Sequence, residues 1–241
     1  MRQLKTTLLA ASLLAISACA QAGPAGTADR AEIETIVKEY LLKNPEIIRE
    51  ALVELDKRTD REALAAVSDA LFNDPRDVSI GPKDAKVTIV EFFDYNCGYC
   101  KLTSGWIKDA IEKHPKDVRV VFKELPVLEK RTQTSRNAAR AALAAARQGK
   151  YADLHFALME ERGLSKERVL EIAEKQGLDI TKLKADMKEQ SIDDMIDNAF
   201  TVAGQIPSLT GTPFFVINDD FIPGGNIDAL NEMLKAKLEE S

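Results

Sequence analysis

The sequence predicts an α/β fold: a mixed β-sheet interrupted by an inserted helical domain and preceded by a separate helical region. Three observations carry this. The apolar run Val87-Thr88-Ile89-Val90-Glu91-Phe92-Phe93 has the continuity of a strand covered on both faces. It runs straight into Cys97-Gly98-Tyr99-Cys100, followed by residues with helical spacing up to Lys113. A long helical stretch, Thr132 to about Ser208, then separates these elements from a strand at Phe214 to Ile217.

In chain order, residues 1–22 read as an export leader. Arg2 and Lys5 form a positive start, and Leu8 to Ile16 an apolar segment too short to span a bilayer. Two endings compete. Ala18-Cys19-Ala20 and Ala20-Gln21-Ala22 have the small-x-small pattern of ordinary cleavage. Ile16-Ser17-Ala18-Cys19 resembles the lipobox of bacterial lipoproteins, which would lipidate Cys19. The soluble form is the preferred of the two. Either way the expected compartment is one in which disulfides persist.

Residues 23–76 are assigned to an N-terminal helical oligomerisation region. Gln21 to Ala28 is a flexible leader, and Asp29 to about Phe72 is charged, helical and free of glycine. Ile33, Ile36, Val37, Tyr40 and Leu41 make one apolar stripe; Asn44 reads as a cap and Pro45 as a first-turn proline, so a second helix starts there, with Ile47, Ile48, Ala51, Leu52 and Leu55 as its stripe. Such stripes are buried against something. Asn73-Asp74-Pro75 ends the region.

Residues 77–241 form the catalytic domain. Strands are expected at Val78 to Ile80, Lys86 to Phe93 and Val118 to Phe122. Helices follow at Ala138 to Ala146, Tyr151 to Met159, Lys166 to Lys175, from Asp179, and Ile192 to Ala203. The insertion thus covers about 130–208. Phe214 to Ile217, a turn at Asp219-Asp220, Phe221-Ile222 and a helix from Ile227 to Leu238 complete a ββα ending.

Of three cysteines, Cys19 lies in the leader, so Cys97 and Cys100 form one redox couple rather than a disulfide framework. Cys97 opens a helix, where unpaired N–H groups and the dipole favour a thiolate. No metal and no bound cofactor is expected: a structural zinc needs four ligands, and His114 and His155 lie in different elements. The formal charge of −6 argues against a nucleic-acid partner.

The run Phe92-Phe93-Asp94-Tyr95-Asn96-Cys97-Gly98-Tyr99-Cys100, the helical insertion and the late Gly211-Thr212-Pro213-Phe214-Phe215 resemble the DsbA family of bacterial thiol–disulfide oxidoreductases. Tyr40 to Ile48 resembles the N-terminal extension of its suppressor-of-copper-sensitivity protein C (ScsC) branch. The resemblance implies a thioredoxin-like fold and a periplasmic location. It makes Cys97 the partly exposed nucleophile and Cys100 the more buried resolving thiol. Gly98 and Tyr99 tune the couple; the strong oxidases carry Pro-His there, so a milder oxidant is implied. The acid matching Glu91 lies beneath the cysteines and moves the proton of the resolving thiol. Pro213 is cis in the family, leaving the Thr212 backbone to pair with substrate.

His114 reads as a helix-end residue, His155 as packing or surface, and Trp106 as packing near the active-site helix. Lys101 and Tyr95 are assigned to the rim of the substrate groove. The function expected is a protein disulfide isomerase or reductase, acting on disulfide-containing proteins and kept reduced by a membrane thiol electron donor. The branch implies a homo-oligomer, a trimer. Two alternatives stand beside it: a monomeric dithiol oxidase, and a copper-handling protein using the cysteine pair as soft ligands.

Overall fold

The computed structural model describes residues 29–240. The leader expectations, Cys19 among them, fall outside the described residues. Contacts divide the chain into two compact units between Leu52 and Val53, within one helix.

In the first unit, α1 (Arg30–Lys43) starts at Asp29, whose side chain accepts from the Ala31 N–H. It buries none of its residues. The expected stripe is on its surface: Ile36 is 58 % exposed and Tyr40 57 %. Asn44 acts differently from expectation. Its Nδ2 donates to the Tyr40 carbonyl at 2.8 Å, so it closes α1 instead of capping α2 (Glu46–Ala66).

The second unit holds the end of α2, then α3 (Ser68–Phe72) and β1 (Val78–Ile80), and β2 (Val87–Phe93) leads into α4 (Gly98–Lys113) and β3 (Val118–Glu124). The insertion runs through α5 (Glu129–Thr132), α6 (Ser135–Ala146), α7 (Tyr151–Glu160), α8 (Lys166–Lys175), α9 (Ile180–Asp186) and α10 (Gln190–Ala203). β4 (Phe214–Ile217), β5 (Asp220–Pro223) and α11 (Ile227–Glu239) close the fold. The sheet order is β1-β3-β2-β4-β5. Only β2 and β3 pair in parallel, joined by α4 as crossover. Gly81 ends β1 at φ 107°, where a Cβ would lie 2.3 Å from the Val118 carbonyl oxygen, so no other residue fits.

Alternation along the strands sorts the core into two layers. Ile89, Phe93, Val120 and Phe122 face the layer that holds Cys97, Cys100, Ile107 and α7. Val90, Phe92, Val121, Phe214 and Val216 face the layer built from Leu64, Val67, Leu71, Val202 and Ile206. Period two therefore puts Glu91 on the cysteine side.

This second layer revises the expected boundary between residues 76 and 77. Leu64, Val67 and Leu71 are at most 6 % exposed and belong to the sheet's own core. Each buried side chain contributes about 2 kcal/mol. Polar bonds add to them: Lys123 Nζ donates to the Ala70 carbonyl at 2.6 Å and pairs with Asp77, and Arg119 donates to the Phe72 carbonyl at 2.9 Å. The end of α2 and all of α3 are part of the catalytic unit.

Candidate active site

The site forms where β2 stops. Asp94, 1 % exposed, takes over from the strand. Its carboxylate accepts from the Asn96 N–H at 2.7 Å, the Ser135 hydroxyl at 2.7 Å and the Leu128 N–H at 2.8 Å. Its carbonyl accepts from the Cys97 N–H at 2.9 Å. The Asn96 amide donates onward to the hydroxyls of Thr134 and Ser135 at 3.1 and 2.9 Å. The turn that presents Cys97 is thereby fixed to the start of the helical insertion.

Cys97 is the extended N-cap of α4, at φ −80° and ψ 118°. Both cysteines are free thiols. Cys97 is 8 % exposed and Cys100 fully buried, so the nucleophile is more enclosed than expected, though it remains the more open of the two. The covering group is the loop before β4. Cys97 Sγ donates to the Thr212 carbonyl at 3.2 Å, and the Thr212-Pro213 bond is cis, as the resemblance implies. Antiparallel pairing of Phe92 with Phe214 sets Pro213 beside the end of β2. The Pro213 carbonyl accepts from the Gly224 N–H at 2.9 Å, which holds the loop from its other side.

The electrostatics separate the two thiols. The Cys97 thiol is lowered to about 6, first by its hydrogen bond with the Cys100 thiol and then, against the cost of burial, by the N–H groups of Cys100 and Tyr99 and the Thr212 side chain. Cys100 is pushed strongly up, mainly by burial and also by the charges of Glu91 and Cys97. At neutral pH the first is largely thiolate and the second a thiol.

Glu91 is fully buried and neither carboxyl oxygen has a hydrogen-bond partner. Burial raises it to about 8, with the Cys97 charge adding to the rise and Thr103 opposing it. The Thr103 hydroxyl lies 3.1 Å from the carbonyls of both Tyr99 and Cys100. A buried carboxyl without partners is costly unless protonated, which is the state this site favours.

Gly98 has open space around its missing Cβ, so nothing steric demands glycine there. Tyr99 is 66 % exposed beside the couple. Tyr95, expected at the rim, is instead fully buried. Its hydroxyl donates to Glu124 at 3.0 Å and lies 3.0 Å from His155 Nδ1; Tyr151 donates to the same Glu124 oxygen at 2.9 Å. If Tyr95 gives its proton to Glu124, His155 carries its proton on Nδ1, leaving the unpartnered Nε2 as an acceptor. Burial holds His155 neutral, lowering it to about 3, and raises Glu124 well above the carboxylate range. Lys101 is half-buried and donates to the Leu158 carbonyl at 3.1 Å. Trp106 packs edge-on to Phe215 and donates to Asn231 at 2.9 Å. His114 is the C-cap of α4.

Asp94, Asn96, Ser135, Glu124 and Tyr151 are absent from the sequence-based site. Glu124 carries the one signal that could have found it: like Glu91, it is an acid within a largely apolar strand. Among the described residues no group of three or more His, Cys, Asp and Glu side chains could hold a metal ion.

A family model described as a DSBA-like thioredoxin domain matches residues 88–235. The chain belongs to this family. A second model, the N-terminal domain of the copper resistance protein ScsC, matches residues 29–62. A linker-deletion mutant of Proteus mirabilis ScsC is 29 % identical with a TM-score of 0.71, over 91 % of this chain and all of that one. A thioredoxin-like oxidoreductase from Silicibacter pomeroyi DSS-3 is 36 % identical with a TM-score of 0.65, over 72 % of this chain and 98 % of the other. The thiol-disulfide exchange protein alpha-DsbA2 of Wolbachia pipientis is 28 % identical with a TM-score of 0.69, over 77 % and 97 %.

Among curated proteins, the Na(+)/H(+) antiporter NhaA 1 of Salinispora arenicola is 30 % identical over 181 residues, which is 70 % of this chain but 27 % of the antiporter. The chain spans about a quarter of that relative, whose name describes the whole. No helix among the described residues is long and apolar enough to cross a membrane. The DsbA-like chain has the expected thioredoxin-like fold with an ScsC-like N-terminal region.

Proposed function

We propose that this DsbA-like protein is a periplasmic disulfide isomerase and reductase, with Cys97 as nucleophile and Cys100 as resolving thiol. The observation that carries the roles is the opposed perturbation of two thiols one turn apart: one lowered to about 6, the other raised by burial. The Cys97 thiolate attacks a substrate disulfide, forming a mixed disulfide and releasing one substrate thiolate. In isomerisation a second substrate thiol attacks that mixed disulfide, restoring Cys97 with no net electron transfer. In reduction, the Cys97 charge that adds to the rise of Glu91 is gone once the mixed disulfide has formed, so the ionised fraction of Glu91 grows; Cys100 gives its proton to that carboxylate and attacks Cys97 Sγ. The second substrate thiolate leaves and the Cys97–Cys100 disulfide forms; the substrate gains two electrons and the protein loses them. A membrane thiol donor of the kind the family uses would return them.

Isomerisation gains from several sites held around one client. The α1 stripe supports that reading: a helix with no buried residue and Ile33, Ile36, Val37 and Tyr40 about half exposed needs a partner, and copies of itself supply one. The ScsC-type match over 29–62 supports the same assignment. We place the oligomer at a trimer on the strength of the branch.

The lowered Cys97 also favours a second reading, a dithiol oxidase, because stabilising the thiolate stabilises the reduced form. Refolding of a scrambled multi-disulfide protein, run beside oxidation of a reduced peptide, separates the two. Recovery of the correctly paired protein by reduced enzyme supports the isomerase. Peptide oxidation without such recovery rejects it in favour of the oxidase.

A further inference from the structure

Within the second unit, a bond ties the end of α2 to the loop before β4. Asp60 is 7 % exposed, an uncommon place for a carboxylate on a surface helix. Its Oδ1 accepts from the main-chain N–H of Ser208 at 3.0 Å. Ser208 begins the short segment that ends in Thr212 and Pro213. That segment is a chain of tight turns, Leu209 N–H to Ile206 and Thr210 N–H to Ser208, both 3.0 Å. Ser208 stands four residues before Thr212, whose carbonyl receives the Cys97 thiol.

Packing holds the segment at Ile206 and, in part, at Leu209, while the stretch from Thr210 to Thr212 lies beyond that core. Ile206 is buried with Leu64, Val67 and Leu71 in the layer beneath the sheet. Next to it, Asp56, Thr59, Asp60, Pro207 and Ser208 line a cleft of about 300 Å³. The Asp60 bond crosses beside open space, and the buried Ser208 hydroxyl has no partner. Leu209 packs partly on the same layer, so the Asp60 bond is the polar tie that adds to it at Ser208.

We infer that Asp60 is a positioning residue for thiol–disulfide exchange: it holds the Ser208–Thr212 segment in the geometry that faces substrate and Cys97. The α2 helix then serves two ends, an exposed apolar face and a strut for the substrate loop. The inference rests on the proposed role of Thr212 in receiving substrate.

The test compares full-length mature wild type with Asp60→Ala and Asp60→Asn. Three measurements are made: reduction of a peptide disulfide, reduction of a small aromatic disulfide that needs no backbone pairing, and titration of the Cys97 thiolate by its ultraviolet absorbance. One lost hydrogen bond to a charged group corresponds to about a tenfold change. Asp60→Ala is expected to raise KM for the peptide by about that factor, to change the aromatic disulfide rate less than about twofold, and to move the Cys97 midpoint upward, because the Thr212 side chain that helps to lower it loses its place. Asp60→Asn keeps an acceptor for the Ser208 N–H, so it is expected to recover most of the loss. Unchanged peptide KM and an unchanged midpoint in Asp60→Ala overturn the inference. So does equal slowing toward both disulfides, which marks general damage. If Asp60→Ala does not fold, Asp60→Asn decides: its weaker, neutral acceptor should give a smaller shift of the same sign, and no shift overturns the inference. A wild type that reduces neither disulfide rejects the proposed function, while the Cys97 midpoint still judges Asp60.

Discussion

The Cys97 thiol donates to the main-chain carbonyl of Thr212 at 3.2 Å, so Cys97 and the cis-proline loop touch in the free dithiol state. In the proposed function an incoming disulfide takes over that contact. The Thr212 side chain adds to the thiolate's stabilisation, together with the helix-end N–H groups. In the proposed function, substrate binding and activation of Cys97 therefore meet at Thr212, which makes both open to titration.

Alkylation of reduced protein by iodoacetamide is expected to follow one ionisation with a midpoint of about 6. The sign follows from the reactive species: the thiolate fraction rises as pH rises through that value and is nearly complete at neutrality. Thr212→Val removes the hydroxyl and should move the midpoint upward. A wild-type midpoint near that of a free cysteine, about 8.5, contradicts the geometry described for Cys97.

Cys97→Ser should abolish exchange, because Cys100 is fully buried and its thiol is held protonated. Cys100→Ser should attack normally and then stall as a covalent complex with substrate. Non-reducing gels of cells expressing each variant read this directly. Absence of Cys100→Ser complexes would overturn the assignment of attacking and resolving thiols.

The sheet and the couple were legible in the sequence because both are local signals. An unbroken apolar strand meeting Cys-x-x-Cys fixes the end of β2, the start of α4 and the position of Cys97 within a few residues. Glu91 was legible for the same reason, as a charge where only apolar residues belong. What stayed hidden depends on pairs far apart in the chain. Tyr95 looked like a rim residue because nothing local announces that Glu124 and Tyr151 wait beneath it. Leu64, Val67 and Leu71 fell inside the stretch assigned to the N-terminal helical region, since helical periodicity shows that a face is apolar but not which surface covers it.

Glu91 ties chemistry to stability. Its folded value, about 8, lies above the unfolded value of a glutamate. The folded form thus binds the extra proton: the group's contribution is fully favourable below the unfolded value and is lost as pH rises toward about 8. Glu91→Gln removes this burden. It should leave thermal stability unchanged near pH ~4 and raise it at neutral pH by the order of 3 kcal/mol. The same substitution should slow resolution of the mixed disulfide more than attack, since it removes the proton acceptor for Cys100. Stopped-flow measurement of the two steps with a peptide disulfide checks this; equal slowing rejects the relay.

The last test concerns where the catalytic unit begins. Removing the mature protein's residues up to Leu52 deletes α1 with its exposed stripe and leaves the unit defined by contacts intact. That fragment is expected to be a folded monomer that still reduces small disulfides. It should lose isomerase activity and become the better dithiol oxidase, because a single site can neither surround a client nor stay hidden from oxidants. Removing residues up to Asp74 is expected to behave differently. It takes away Leu64, Val67 and Leu71, worth together about 6 kcal/mol of burial, from a domain whose whole stability is of the order of 5–15 kcal/mol. It also uncovers Lys123, whose side chain is fully buried beside Asp77 and the Ala70 carbonyl. Losing one side of a buried charge cluster costs more than the cluster ever contributed. The shorter fragment should therefore melt far below the longer one, or fail to fold. Light scattering on the mature and Leu52-truncated forms, with thermal melts of both fragments, decides the matter. A mature protein that is monomeric at micromolar concentration rejects the oligomer and the account of isomerisation built on it. Equal melting of the two fragments rejects the assignment of α3 to the catalytic core.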